Sequence, residues 1–218
     1  EIFSLESVTA RTTYLRQLTN SYLYKDLLEF GDVRNSNKIR DLLKLLAFQI
    51  GSQVSLSELA GVLEMGHATV NRYIDLLEKS FVIFRLSGFS RNLRKEVRKM
   101  DKIYFYDTGV RNVIIGNLHL LADRDDAGRL WENFLIVERM KQLAYTVGAY
   151  GSTYFWRTHT GAELDYVEET GGKLYGYEFK YGNKTTKAPS GWRTAYPDAS
   201  FTCVNRETYL PFVLRNDP

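Results

Sequence analysis

A chain of 218 residues, 44% hydrophobic and 25% charged, has the make-up of a soluble globular protein and the length for one large domain or two small ones. Its formal charge of +3 does not by itself announce a polyanionic partner. A single cysteine, Cys203, excludes an internal disulfide framework and suits a reducing, cytoplasmic setting. With no charged-then-apolar leader and no long apolar run, neither a signal peptide nor contact with a membrane is expected. The chain opens at Glu1 and runs directly into helical sequence, so a fragment of a longer protein is expected.

Val8 to Glu29 carries apolar residues at helical spacing (Tyr14, Leu15, Leu18, Tyr22 and onward) and predicts one or two helices closed by Gly31. Residues 1–36 read as a helical linker. Asn37 to Ile50 places Ile39, Leu42, Leu43, Leu46 and Phe48 on one broad stripe, and Gly51 ends it. Ser55-Leu56-Ser57-Glu58 fits a capping box, opening a helix to Leu63. A second helix, His67 to Lys79, turns Val70, Ile74 and Leu77 inward and leaves Thr69, Arg72 and Asp75 outward. Two β-like runs, Phe81 to Leu86 and Ile103 to Tyr106, follow. Helices followed by two strands is the order of a winged helix-turn-helix, which is assigned to residues 37–122.

The span between those strands, Ser90 to Lys102, is the most basic in the chain. Arg91, Arg94, Lys95, Arg98, Lys99 and Lys102 stand there against Glu96 and Asp101. Such a run is either a solvated loop or a set of phosphate contacts that gain from counterion release. In the second reading Thr69, Asn71 and Arg72 reach base edges from the second helix, and the partner is nucleic acid, with DNA as the expected form. Winged helices also serve as protein-docking modules, so both readings stand.

After a short helix interrupted at Gly116 and a polar linker at 123–128, residues 123–218 read as a separate α/β module. Leu130 to Tyr145 is a long apolar helix containing Glu132. Three strands follow: Tyr154 to Trp156, Ala162 to Glu168, and Lys173 to Tyr181, the last two joined through Gly171-Gly172. Alternation puts Glu163 and Asp165 on one face of the second strand with Leu164 and Tyr166 opposite, and Glu178 and Lys180 on one face of the third. Ser190 to Tyr196 reads as a brief helix and Ser200 to Asn205 as a last strand, with Cys203 in the core.

A helix with Glu132, a strand with Asp165, a strand with Glu178-x-Lys180, then helix and strand, resembles the PD-(D/E)xK nuclease fold. That resemblance implies a catalytic set of Glu132, Asp165, Glu178 and Lys180. Asp165 and Glu178 would hold Mg2+, a hard cation that takes one or two carboxylates plus water, and Glu163 is a further carboxylate able to substitute. Lys180 would orient the attacking water or offset charge developing on phosphate. Leu164 stands where the pattern has proline, so the fold and retained catalysis are separate questions.

The arrangement also resembles a prokaryotic family, domain of unknown function 4143, found after AAA-type ATPase domains. The likeness rests on Tyr14-Leu15 through Lys25-Asp26, Thr69-Val70 with Tyr73 and Leu76-Leu77-Glu78, Lys102 with Tyr104 to Gly109, Trp131-Glu132-Asn133-Phe134, Gly161 to Asp165, and Glu178-Phe179-Lys180. It extends over nearly the full chain. It implies an upstream ATPase domain of the same polypeptide as partner. ATP would belong to that domain alone, since no G-x-x-x-x-G-K-[ST] occurs in this sequence. Oligomeric state is left open. The competing reading is a non-catalytic interaction or regulatory module built on a degenerate nuclease fold.

Overall fold

The computed structural model describes residues 7–19, 36–91, 100–146 and 151–214. The chain is mixed α+β and divides into two compact units, Glu1–Arg85 with Ile103–Arg124, and Leu86–Lys102 with Asp125–Pro218. The second cut falls beside the expected polar linker. The first assigns 86–102, read from sequence as part of the winged module, to the second unit.

In the first unit, helix α1 (Val8–Leu18) is capped by Ser7, whose hydroxyl accepts the Ala10 N–H at 3.0 Å. Helices α2 (Ser36–Phe48), α3 (Leu56–Leu63) and α4 (His67–Lys79) follow, then the paired strands β1 (Ile83–Leu86) and β2 (Lys102–Phe105), whose end residues Leu86 and Lys102 belong to the second unit, and helix α5 (Thr108–Ile114). Most of the apolar stripes read from sequence form the core, with Leu42, Leu43, Leu46, Val70, Leu77 and Ile83 wholly buried, but Phe48, expected on the same stripe, is 51% exposed at the end of α2. The Ser55 hydroxyl caps α3 by accepting the Glu58 N–H at 3.3 Å. Between α3 and α4 the chain reverses through Glu64 at φ 50, a left-handed position where the Glu64 and Met65 N–H groups close onto Gly61 and Ala60 carbonyls. Asp75, expected to point outward, is tied to Arg85, which also reaches Glu78 at 3.0 Å, so the charged edge of α4 holds β1. The second half of the Val8 to Glu29 expectation lies outside the described residues.

The second unit contains α6 (Ala127–Tyr145), β3 (Gly151–Arg157), β4 (Glu163–Thr170), β5 (Lys173–Phe179), α7 (Ser190–Ala195), β6 (Ser200–Val204) and α8 (Leu210–Val213). The sheet runs in the order β3-β4-β5-β6, antiparallel except for the parallel β5/β6 pair. The parallel pairing follows from α7, which carries the chain back across the sheet before β6. The β4–β5 turn is tighter than expected. Gly171 and Gly172 alone make it, at φ +58 and +76, the double positive φ of a type I′ hairpin, and Glu169 and Thr170 stay in the strand. The segment from Leu86 extends the other edge of the sheet: Phe155 N–H donates to Ser87 O at 3.0 Å and Phe89 N–H to Phe155 O at 2.7 Å.

One sheet face packs Trp156, Leu164, Val167 and Leu174 against Trp192 of α7 and Tyr196. Gly176 makes this possible, because a Cβ there would lie 2.7 Å from Leu164 Cδ1 and 3.1 Å from the Trp192 ring. Gly176→Ala is expected to destabilise the protein by about 1–3 kcal/mol through overpacking, read from the urea midpoint. On the other face Tyr166, Tyr177 and Phe179 surround Phe212 of α8, an element too short to carry a periodic signal in the sequence.

Candidate active site

The site forms where β4 and β5 part. Their pairing runs from Thr170↔Lys173 to Tyr166↔Tyr177. One step further, the Phe179 N–H donates to the Asp165 carboxylate at 2.7 Å, so a side chain takes over where the ladder stops. β5 remains held on its other side by β6, with Lys180 N–H donating to Val204 O at 2.9 Å.

A bulge aims the carboxylate. Tyr154 pairs with Val167 and Trp156 with Leu164, so Asp165 and Tyr166 together stand opposite the single residue Phe155. Strict alternation would put Tyr166 on the face away from Asp165. The extra residue instead lets Leu164 and Val167 share the Trp192 face, and it leaves Asp165 and Tyr166 on the side of α6 and α8. The alternation expected from sequence therefore fails at this one position.

Helix α6 brings Glu132 to the same place. The Lys102 ammonium lies between Glu132 Oε1, at 3.3 Å, and Glu163 Oε1, at 2.5 Å, and 5.4 Å from the Phe155 ring centre. Lys102 is only 3% exposed. Burial pushes its pKa down, but Glu132, Glu163 and Asp165 more than offset that, and the net direction is upward. Glu163 also lies 3.7 Å from Arg157. The Asp165 carboxyl is raised to about 7, first by burial and then by the Glu132 charge, against the opposing pull of Lys102 and of the Phe179 N–H. Glu178 is raised as well, by burial and then by Asp165, while its carboxylate accepts from Lys180 Nζ at 2.7 Å.

Glu132, Asp165, Glu178 and Lys180 are thus brought into one electrostatic neighbourhood, with Lys102 and Glu163 beside them. Asp165 and Glu178 are hard oxygen donors whose mutual repulsion a divalent cation would relieve, and two carboxylates with open coordination suit Mg2+. Among the described residues, no three His, Cys, Asp or Glu side chains are placed to hold a metal ion.

Lys102 is the member of the charged cluster that the sequence pattern does not point to. Counted with the basic run, it is instead buried among carboxylates. In the structure it heads a strand whose four residues are all buried. Arg139 and Glu168, paired at 2.6 Å across α6 and β4, were not singled out either. Of the residues assigned to nucleic acid, Arg72 is exposed beside the Tyr73 ring and Thr69 is half-buried on α4. Arg91 is bound to Glu169 at 2.6 Å. Arg94, Lys95, Arg98 and Lys99 lie outside the described residues. Cys203 is half-buried, with its Sγ 3.9 Å from the Lys184 carbonyl, rather than in the core. No helix among the described residues is long and apolar enough to cross a membrane.

Comparison with known proteins divides the chain at the same linker. Residues 127–212 match domain of unknown function DUF4143, and residues 1–120 match a different one, DUF8612. The DUF4143 likeness is thus confined to the C-terminal part rather than extending over nearly the full chain. The motifs around Tyr14, Thr69 and Tyr104 fall in the other match. Uncharacterized proteins of Mycobacterium tuberculosis and Mycobacterium bovis are each 33% identical over 162 residues, 73% of this chain and 36% of theirs. One from Methanocaldococcus jannaschii is 30% identical over 113 residues, 51% of this chain and 24% of its own. The chain spans about a third of the length of the mycobacterial relatives it matches. No solved structure matches it. By the match over its first 120 residues the chain belongs to the family described as domain of unknown function DUF8612, and a DUF4143 segment follows.

Proposed function

We propose that the second unit is a PD-(D/E)xK nuclease-like domain and that its carboxylate cluster is a divalent-metal site for phosphodiester cleavage. The first unit, in this reading, is a winged helix that engages nucleic acid, and the whole is a region of a longer AAA-type ATPase. One observation carries the reading: Asp165 sits at the point where β4 and β5 part, its carboxyl is pushed to about 7, and Glu132 and Glu178 stand beside it. The order α6-β3-β4-β5-α7-β6 with a parallel last pair supports the same fold.

When bound, a divalent cation supplies Lewis acidity to phosphate and makes a water more acidic. The chain's own residues do the positioning. Asp165 and Glu178 hold the cation, and the Phe179 N–H fixes the Asp165 carboxylate by occupying one of its oxygens. Lys180, held by Glu178, points a proton donor at charge developing on phosphate. Lys102 fixes Glu132 and Glu163.

A second reading, a docking module on a degenerate nuclease fold, is favoured by that same Lys102, which already neutralises part of the cluster. Thermal melts with and without Mg2+ or Mn2+, together with cleavage assays on single- and double-stranded DNA and RNA, separate the two. The metal is expected to stabilise the protein by roughly 3 kcal/mol at a hundredfold excess over its Kd. Asp165→Asn should remove that stabilisation and Lys180→Ala should keep it while losing cleavage, with Glu163→Gln run in parallel as the alternate ligand. A melting temperature indifferent to millimolar metal, with no substrate cut, would overturn the metal site and favour the docking module.

A further inference from the structure

Beside the carboxylate cluster lies a group of aromatic rings that the proposed chemistry does not use. Trp131 stacks on Phe134 with centroids 5.7 Å apart, and it meets Tyr209 edge-on at 5.2 Å and Tyr181 at 6.2 Å. Phe134 and Tyr209 are 6.3 Å apart. The guanidinium of Arg206 lies 5.5 Å over the Tyr181 ring. Packing of α8 on α6 accounts for some of this contact. It does not account for Phe134 remaining 37% exposed and the adjoining Leu210 48% exposed.

The placement is what gives the cluster meaning. Trp131 immediately precedes Glu132 on α6, and Tyr181 immediately follows Lys180 after β5. Each of these two segments therefore delivers a charged residue to the site and an aromatic residue to its rim. The loop holding Arg206 and Tyr209 is fixed to the loop after Tyr181 rather than left free. Arg206 N–H donates to Gly182 O at 3.3 Å, and Asn205 Oδ1 accepts the Glu207 and Thr208 N–H groups at 3.0 and 3.1 Å. Lys184 and Lys187 stand exposed on the adjoining loop.

We infer that Trp131, Phe134, Tyr181 and Tyr209, with Arg206, form a stacking platform for unpaired bases at the rim of the site, which makes single-stranded nucleic acid its substrate class. Every base has a π-face, whereas bases inside a duplex are already stacked on one another, so rings flanked by cations select strands whose bases are free. A cation for a phosphate backbone is at hand, since Arg206 lies over the Tyr181 ring and Lys180 directly precedes it in the chain. The proposal rests on the phosphodiester reading for the chemistry, but its test reads binding alone.

The experiment is fluorescence anisotropy of a labelled oligo(dT) and of a hairpin duplex of equal charge, titrated with the full chain in EDTA. Self-association is followed by sedimentation on the same samples. The single strand is expected to bind more tightly than the duplex. Phe134→Ala and Tyr209→Ala should each weaken it roughly 5- to 150-fold, the range for removing one stacked base. Arg206→Ala, at an exposed residue, should weaken it without loss of folding, and Tyr209→Phe should restore most of the binding. The titration is run in EDTA, where no metal-dependent cleavage occurs, so a failed cleavage assay leaves the platform standing. Equal affinity for strand and duplex would overturn the inference, as would Arg206→Ala and Tyr209→Ala variants that fold and bind normally. A parent that self-associates and a monomeric Phe134→Ala with unchanged oligonucleotide affinity would assign the patch to protein contact and overturn it equally.

Discussion

Replacing Arg139 by Ala is expected to destabilise the protein by about 3–5 kcal/mol, among the largest losses from any single substitution in it. The Arg139 guanidinium donates from Nε and Nη2 to the two Glu168 oxygens, at 2.6 and 2.9 Å, and from Nη1 to the Phe212 carbonyl at 3.0 Å. Its side chain is 17% exposed and that of Glu168 5%, so the pair is desolvated on both sides. Removing the cation leaves a carboxylate inside the sheet beside Tyr166 and Tyr177. Those hydroxyls are already pushed upward, Tyr177 to about 12, by burial and then by the Glu168 charge. The clamp also ties α6, β4 and α8 through one side chain, so packing around Phe212 should loosen with it. Arg139→Leu with Glu168→Leu should cost much less than the two single changes added together, because no charge is then stranded. Urea midpoints of the four proteins make the cycle. Additive losses would mean that the pair contributes only through apolar contact.

That clamp marks where reading from the sequence ends. The stripe Leu42, Leu43, Leu46 and the inward set Val70, Ile74, Leu77 were legible because a helix repeats its buried face every three to four residues. The Gly171-Gly172 turn was legible because positive φ is nearly a glycine property. Glu132, Asp165, Glu178 and Lys180 were legible as a set only through their order across a helix and two strands. Lys102 was not, because nothing local separates a cation that ends a basic run from one that starts a buried strand. Its partners are 30 and 61 positions away. The bulge at Asp165 and Tyr166 was hidden for a related reason: register belongs to the strand pair, and β4 alone reads as regular alternation. The same applies to Arg139 and Glu168, 29 positions apart on a helix and a strand where each passes for a surface charge.

Lys102→Met is expected to be the other severe loss, and its size should depend on pH in a direction fixed by Asp165. At pH 8 the substitution strands Glu132 and Glu163 without their ammonium, and a cost of about 3–5 kcal/mol follows from breaking a buried pair on one side. Asp165 has a folded-state pKa near 7, against 3.8 for an isolated aspartate. Between those two values the folded state binds the proton and the unfolded state does not. Stability from this group is therefore fully present below about pH 4 and is lost as pH rises through 7. The parent protein should accordingly gain stability between pH 8 and pH 5.5 as far as this carboxyl is concerned. Lys102, together with the Phe179 N–H, holds the Asp165 pKa down, so without it the carboxyl moves further up and the gain on acidification becomes larger. Lys102→Met should thus recover part of its loss at pH 5.5, and adding Asp165→Asn should remove that recovery. Urea midpoints of the three proteins at the two pH values provide the measurement. A Lys102→Met cost that stays constant from pH 8 to pH 5.5 would place Asp165 outside the reach of Lys102, and with it the account of the cluster as one coupled set of charges.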